Sequence, residues 1–180
     1  MPEQMLLIIK PDVYENEEKR EDALSKIENY LNANALRIIF QEERIPDKEL
    51  VRCHYAASQT ELLALGSRNR AKKALRGIKV LGTDLEIAQK IVEYNVEALA
   101  EKTVRVMIIR GEDAVNKIRK LIGPTEPAGA KITAPESLRA IFCTDSFEDA
   151  ADRPLRNGFH GSDSVETALT EIILWTGIKF

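Results

Sequence analysis

The chain is poor in the residues that build metal centres and disulfide-bonded scaffolds. It contains two cysteines and two histidines among 180 residues. Cys53 and Cys143 stand far apart, without the short spacing of zinc-binding cysteines, and two cysteines in an intracellular chain are usually reduced. We therefore assign neither a disulfide nor a protein-bound zinc site.

Long apolar runs and a strong charge imbalance are also absent. No stretch of about 18 apolar residues occurs, and the N-terminal MPEQMLLIIKPD lacks the basic and apolar segments of a signal peptide. The net charge of −3 offers no broad attraction to nucleic acid, and the local basic run in residues 68–76 is typical of a solvated helix face. We therefore expect a cytoplasmic protein with neither a membrane span nor a nucleic-acid partner.

The remaining composition is that of an ordinary globular domain. Hydrophobic residues make up 44% of the chain and charged residues 31%, enough to bury one core. Four short apolar or alternating segments predict strands: residues 5–10, 36–45, 104–111 and 137–143. Helical periodicity predicts helices over residues 18–31, from about 47, and over 85–100 and 114–122, with a last helix capped by Asp163 and Glu166. This order favours one antiparallel sheet with helices on one face, although an all-parallel sheet stays open.

One of the two histidines lies in an unusual segment. His160 belongs to NGFHGSDSV, residues 157–165, where glycines and small polar residues surround it just before the last helix. A histidine among such residues is more accessible to a substrate than a histidine packed in a core. A neutral imidazole is a good nucleophile when a carboxylate fixes its tautomer. Glu171, in the second turn of the helix, is a candidate partner, with an ordinary exposed glutamate as the alternative.

Cationic residues at the ends of predicted elements suit a phosphoryl substrate. The negative charge of a phosphoryl group in transfer calls for positive donors and a metal ion. Lys10 ends the first strand, Arg119 lies on the helix before residue 123, and Arg139 lies in the predicted fourth strand. Each is weak evidence alone, because charges at such places are usually only solvated.

Six sequence blocks together resemble the nucleoside diphosphate kinase family. They are IKPD (9–12), HY (54–55), GPTEP (123–127), SLRAIF (137–142), NGFHGSDSV (157–165) and EIILW (171–175). Their order and spacing match the family along nearly the whole chain, apart from an insertion at about residues 58–102. The resemblance implies one domain over residues 1–180 with an α+β, ferredoxin-like fold: a four-stranded antiparallel sheet with helices on one face.

The resemblance also implies an activity and a set of site residues. His160 would take the γ-phosphoryl group of a nucleoside triphosphate and pass it to a nucleoside diphosphate in a ping-pong cycle. Glu171 and Ser162 match the pair that orients the histidine and assists the leaving oxygen, and Lys10 joins this catalytic set. The positions that match nucleotide contacts are Lys10, Tyr55, Arg119, Thr125, Arg139 and Asn157. Mg²⁺ would arrive on the nucleotide phosphates without direct protein ligands, with Asp163 as a candidate contact of its water shell.

The sequence departs from the family pattern near the nucleobase. The stretch ASQTELLAL follows Tyr55 where the family has a base-stacking aromatic. We hypothesise that the part of the insertion before its predicted helix is a mobile lid, with Leu63 or Leu65 as an apolar shelf and Arg68 or Arg70 over the base or near the phosphates. The alternative is an insertion that only decorates an oligomer surface.

Two further expectations come from the resemblance. The family implies self-association of this chain into a hexamer, tetramer or dimer. A catalytically silent nucleotide-binding or scaffold module of the same fold is the alternative function.

Overall fold

The computed structural model describes residues 2–56 and 58–178, and a four-stranded antiparallel sheet lies at its centre. The strands are β1 (Glu3–Ile9), β2 (Arg37–Arg44), β3 (Val104–Gly111) and β4 (Phe159–Gly161). Their order across the sheet is β2-β3-β1-β4, and every neighbouring pair is antiparallel. The predicted α+β fold with a four-stranded antiparallel sheet is confirmed.

Helices connect and cover these strands. They are α1 (Pro11–Tyr14), α2 (Glu17–Ala33), α3 (Lys48–His54), α4 (Gln59–Ala74), α5 (Asp84–Leu99), α6 (Ala114–Ile122), α7 (Pro127–Thr133), α8 (Leu138–Phe142) and α9 (Val165–Thr176). Among the described residues, none of these helices combines the length and the apolar character that crossing a membrane requires.

The helices cover both faces of the sheet, which corrects the expectation of one covered face. Met5, Leu7 and Ile9 of β1 pack in a core with α2 and α6, whereas Leu6 and Ile8 pack in a second core with α3, α5 and α9. All five side chains are fully buried. Successive strand residues point to opposite faces, so a strand that is apolar at every position needs cover on both sides.

The fourth strand is not the one that the sequence predicts. Residues 137–143 contain helix α8, with Leu138 and Phe142 buried, and the strand beside β1 is β4. A segment this short does not separate strand alternation from a single helical turn. The correction matters for function because Ile8 pairs with His160, which places the histidine within the sheet.

The last helix starts one residue later than the prediction requires. Ser164 is the N-cap of α9, and its side chain accepts a hydrogen bond from the backbone N–H of Thr167 at 3.1 Å. The predicted cap by Asp163 with Glu166 is therefore wrong. Serine and aspartate are both good caps, and the sequence alone does not choose between neighbours.

Residues 58–102 form a helical hairpin, not an irregular lid. The predicted helix over 85–100 is present as α5, and α4 precedes it. Ser58 and Thr83 both cap their helices in capping boxes, which explains where the two helices start. The helices approach closely at Gly66, where a Cβ atom would lie 1.8 Å from the backbone oxygen of Asp84. Val96 of α5 joins the second core and anchors the hairpin to the sheet.

Candidate active site

His160 and Glu171 meet on the face of the sheet that α9 covers. Because His160 pairs with Ile8, it shares the face of β1 that packs against α9, and the buried side of that helix presents Glu171. The His160 Nε2 atom lies 3.0 Å from Glu171 Oε1. The His160 side chain remains 20% exposed, so the pair is buried on one side and accessible on the other.

Ser162 is a buried third residue that contacts Glu171. Its hydroxyl donates to Glu171 Oε2 at 2.5 Å and accepts from the backbone N–H of Leu6 at 3.3 Å. Ser162 has no exposed surface. The structure thus brings together the predicted histidine, glutamate and serine, and gives Ser162 a contact with the carboxylate.

The charge of Glu171 determines the tautomer of His160. Burial alone would raise the pKa of Glu171, but the hydrogen bonds from His160 and Ser162 and the electrostatic effect of the two histidine rings outweigh burial and lower it. An ionised carboxylate only accepts hydrogen bonds, so His160 Nε2 carries the hydrogen. In the neutral ring, Nδ1 then holds a free lone pair.

The second histidine of the chain lies directly beside the first, which the sequence analysis did not assign to the site. The ring centroids of His54 and His160 are 4.4 Å apart, at an interplanar angle of 81°. The indole of Trp175 donates from Nε1 to His54 Nδ1 at 3.0 Å. Two features of the sequence point to His54 as a site residue: it lies in the HY block, and histidine is scarce in the chain. Neither feature shows which side chain His54 faces.

Three groups here have the spacing of a metal centre. One ligand atom each from His54, His160 and Glu171 lie within 4.8 Å of one another. The lone pair of His54 Nδ1 accepts from Trp175, and the two Glu171 oxygens accept from His160 and Ser162. Hydrogen bonds therefore account for the close spacing, and a metal ion would have to displace them.

Lys10 lies at the end of β1 and joins two other predicted nucleotide contacts. Its ammonium group donates to Asn157 Oδ1 at 2.8 Å, and Asn157 Nδ2 donates to the carbonyl of Thr125 at 3.1 Å. Burial, followed by the positive charge of Arg139, lowers the pKa of Lys10 to about 8. The Thr125 side chain lies at the surface.

Arg139 extends from α8, not from a strand, and binds the backbone around the site. Its guanidinium donates to the carbonyls of Gly123 at 2.7 Å, Asn157 at 3.1 Å and Phe159 at 2.6 Å. Burial lowers its pKa to about 10. Arg139 thus ties the GPTEP loop to the histidine strand.

Arg119 and Tyr55 both lie close enough to Arg139 to act on its charge. The charge of Arg119, which lies near the end of α6, also lowers the pKa of Arg139, and Arg139 does the same to Lys10. Three mutually repelling cations at one place favour an anionic ligand. Tyr55 lies 6.4 Å from His160 between ring centroids, and burial raises the pKa of its hydroxyl.

Asp12, in the IKPD block, supports the segment that leads to His160, a role that the sequence alone did not predict. Its carboxylate accepts from the backbone N–H of Gly158 at 2.9 Å, and burial raises its pKa. Gly158 has φ of +64°, and a Cβ atom there would lie 2.6 Å from Cys143 Sγ. The glycine in NGFHG therefore permits the turn that leads into β4.

The α4–α5 hairpin contributes differently from the predicted lid. Arg70 donates to Asp84 and to the carbonyls of Val80 and Gly82, so its guanidinium holds the turn of the hairpin instead of facing a base. The exposed side chain of Leu63 lies on α4.

Arg76, which follows α4, bridges the hairpin to the GPTEP loop. It binds both carboxylate oxygens of Glu126 at 2.6 Å, and its guanidinium stacks 5.3 Å from the Phe147 ring centroid. Asp163 is exposed before α9, and none of the hydrogen bonds or ion pairs of the described residues includes its side chain.

Comparisons with known proteins show which proteins this chain is similar to. Residues 86–178 match the family model of nucleoside diphosphate kinase. The chain is 28% identical over 185 residues to a nucleoside diphosphate kinase of Pyrobaculum aerophilum, covering 96% of this chain and 94% of the relative. It is 36% identical over 92 residues to the enzyme of Aquifex aeolicus, covering 51% of this chain and 56% of the relative.

Solved structures extend the likeness to nearly the whole chain. A crystal structure of the NDP kinase from Pyrobaculum aerophilum aligns with a TM-score of 0.85 at 28% identity, covering 97% of this chain and 96% of that chain. The Aquifex aeolicus nucleoside diphosphate kinase aligns with a TM-score of 0.64 at 26% identity, covering 97% and 94%. With a matching family model over half of its residues, this chain belongs to the nucleoside diphosphate kinase family.

Proposed function

We propose that this chain moves a γ-phosphoryl group from a nucleoside triphosphate to a nucleoside diphosphate through a phosphohistidine at His160. The observation that carries the proposal is the pairing of His160 Nε2 with the buried carboxylate of Glu171, which leaves Nδ1 free and accessible. The Nδ1 lone pair forms a bond to the γ-phosphorus. The bond from that phosphorus to the oxygen bridging the β- and γ-phosphates breaks, and its electron pair leaves with the released nucleoside diphosphate.

The second half of the cycle reverses these events with another nucleotide. A terminal phosphate oxygen of a different nucleoside diphosphate attacks the phosphorus, and the bond to Nδ1 breaks with its electrons returning to the ring. Splitting the reaction in this way lets one site serve both nucleotides in turn.

Glu171 and Ser162 act on the histidine in this proposal. Positive charge develops on the imidazole as the N–P bond forms, and a preorganised carboxylate at 3.0 Å stabilises it. Because the Ser162 hydroxyl has no exposed surface and gives its hydrogen to Glu171, its geometry supports positioning of the carboxylate. It does not support the expected contact with the leaving oxygen.

We assign the cationic and polar residues around the cleft to the nucleotide. Lys10 and Arg119 are proposed to contact the phosphates, and Arg139 to hold the loop that faces them. The remaining assigned contacts of phosphate and sugar are Tyr55, Thr125 and Asn157. At pH 7 the Lys10 ammonium, with its pKa near 8, is mostly charged, as phosphate binding requires.

A divalent cation would enter this site on its substrate. Mg²⁺ keeps much of its water and is commonly held by nucleotide phosphates. The donor set fits this role: the cleft presents ammonium and guanidinium groups, and the carboxylate of Asp12 already accepts from Gly158. We propose the exposed Asp163 as a contact of the cation's water shell.

Leu63 is the proposed apolar contact of the nucleobase. It is the apolar residue of the expected lid, and it lies on helix α4, whereas Arg70 of the same helix is bound within the turn of the hairpin. Leu63→Ala would raise the nucleotide KM for several bases alike, because an aliphatic side chain contacts any base without reading its polar edge. Unchanged KM values would remove Leu63 from the site.

Self-association is proposed as well. The mass of one chain is 20.2 kDa, so light scattering at micromolar concentration would show a multiple of this value. A species of one-chain mass would contradict the proposal.

The test of the main proposal is direct. Incubation with γ-labelled ATP and Mg²⁺ should give an acid-labile phosphoprotein, and added GDP should discharge the label. His160→Ala should abolish labelling, whereas Glu166→Ala, on the exposed side of α9, should label as the wild type does. A wild-type protein that binds nucleotide and takes no label would contradict the proposal and favour the catalytically silent alternative.

A further inference from the structure

His54 is fully enclosed at the site, although the phosphoryl transfer proposed above needs only one histidine. Its side chain is 1% exposed, and its ring stands edge to face against that of His160. Trp175, which donates to it, lies 121 positions away in the sequence. A polar ring that the fold buries so deeply beside the nucleophile calls for a role.

The hydrogen bond from Trp175 determines the tautomer of His54. An indole N–H only donates, so His54 Nδ1 must accept and the ring hydrogen must lie on Nε2. A hydrogen on Nδ1 would face the indole hydrogen. The Nε2 atom is buried and has no hydrogen-bond partner among the described residues, so the bond at Nδ1 orients the ring.

His54 also stays neutral beside an acid. Its Nδ1 atom lies 3.6 Å from Glu171 Oε1, the oxygen that binds His160. Burial and the neighbouring His160 lower the pKa of His54 to about 3, against the opposite effect of Glu171. Tyr55 and Lys10 are the other titratable groups that face it or act on its charge. A protonated His54 would compete with His160 for the carboxylate.

We propose that His54 is a positioning residue: its ring, held in one orientation by Trp175, packs against the imidazole of His160 and keeps Nε2 turned to Glu171 and Nδ1 free. The effect of His54 on the reaction rate rests on the proposed function: a His160 ring whose Nδ1 is turned away cannot reach the γ-phosphorus. The arrangement itself is measurable without any phosphoryl transfer.

Two substitutions separate positioning from simple stability. Asparagine places a carbonyl oxygen near the position of Nδ1, so His54→Asn keeps an acceptor for Trp175 and loses the ring. His54→Phe keeps a ring against His160 and leaves the buried indole N–H without an acceptor, a costly change. We therefore expect His54→Phe to be the less stable variant and the better enzyme.

The chain has two histidines, so ¹⁵N-histidine labelling reports on these two rings alone. In both variants every imidazole signal belongs to His160. We expect one tautomer, with hydrogen on Nε2, in the wild type and in His54→Phe, and a mixture in His54→Asn. The phosphorylation rate of His54→Asn should fall by up to about a hundredfold, the loss that a misplaced reacting group can cause.

A matched control removes stability from the comparison. Ile27→Val shortens a fully buried side chain in the core on the opposite face of the sheet, and should lower the denaturation midpoint with wild-type tautomer and rate. Two results would overturn the inference. One is a phosphorylation rate that follows stability across His54→Asn, His54→Phe and Ile27→Val, and the other is a wild-type His160 tautomer in His54→Asn. A wild type that takes no label contradicts the proposed function alone, since the tautomers still test His54.

Discussion

Replacing Glu171 by glutamine removes one charge from the proposed site and little else. Glutamine keeps an oxygen that accepts from His160 Nε2, at 3.0 Å in the wild type, and its amide group can donate to Ser162 Oγ. The size and most contacts of the side chain are retained. The substitution therefore tests the charge of the carboxylate separately from its position.

The expected loss in rate follows from the hydrogen bond between His160 and the side chain at position 171. A hydrogen bond to a charged group contributes about 1.5–3 kcal/mol and a neutral one about 1 kcal/mol. The imidazole gains positive charge as phosphorus binds, so this difference falls mainly on the transition state. For the hydrogen bond to His160 this difference is about 0.5–2 kcal/mol, which corresponds to a rate about twofold to thirtyfold lower.

Rapid-quench measurement of phosphoenzyme formation from labelled ATP determines this rate directly. Glu171→Ala should be slower than Glu171→Gln, because alanine leaves His160 Nε2 and Ser162 without their acceptor. The Glu166→Ala variant on the same helix is the control. A Glu171→Gln rate equal to that of the wild type would refute the argument that the carboxylate charge stabilises the reacting imidazole.

Three further predictions concern the residues around the cleft. Because the pKa of Lys10 is lowered to about 8, kcat/KM should fall as the pH rises through that value, and Lys10→Arg should remain charged and lose this dependence. Lysine at position 139 cannot reach three carbonyls, so Arg139→Lys should lose two of these hydrogen bonds and lower the unfolding free energy in urea by about 3 kcal/mol or more, at about 1.5–3 kcal/mol for each bond to a charged group. Arg76→Ala opens the bridge to Glu126, and calorimetry should show weaker nucleotide binding with phosphoenzyme still formed. A flat pH profile for the wild type, an unchanged urea midpoint or unchanged affinity would contradict these predictions in turn.

Local patterns in the sequence are enough for most of the sheet and for the pairing of His160 with Glu171. The strands β1 and β3 are short apolar runs, and α2, α5 and α6 repeat their apolar residues at the helical period, so neighbouring residues specify them. His160 and Glu171 lie eleven positions apart, across one turn and the first part of one helix. A pair so close in sequence leaves few alternative arrangements.

Tertiary packing decides what local patterns leave open. Residues 137–143 are apolar enough for a strand or a helix, and β4 occupies the sheet edge beside β1, so this segment forms α8. The helices cover both faces because β1 is buried on both. Local periodicity predicts whether one segment is a strand or a helix. It does not predict which other elements pack against that segment.

Contacts between distant segments were beyond prediction from the sequence. His54 and Trp175 meet across 121 positions, and Arg76 and Glu126 across 50. Nothing near His54 in the sequence distinguishes a buried ring beside His160 from an exposed residue at a helix end. The free energy that buries His54 comes from packing α3 and α9 on one face of the sheet, and this packing exists only in the folded chain.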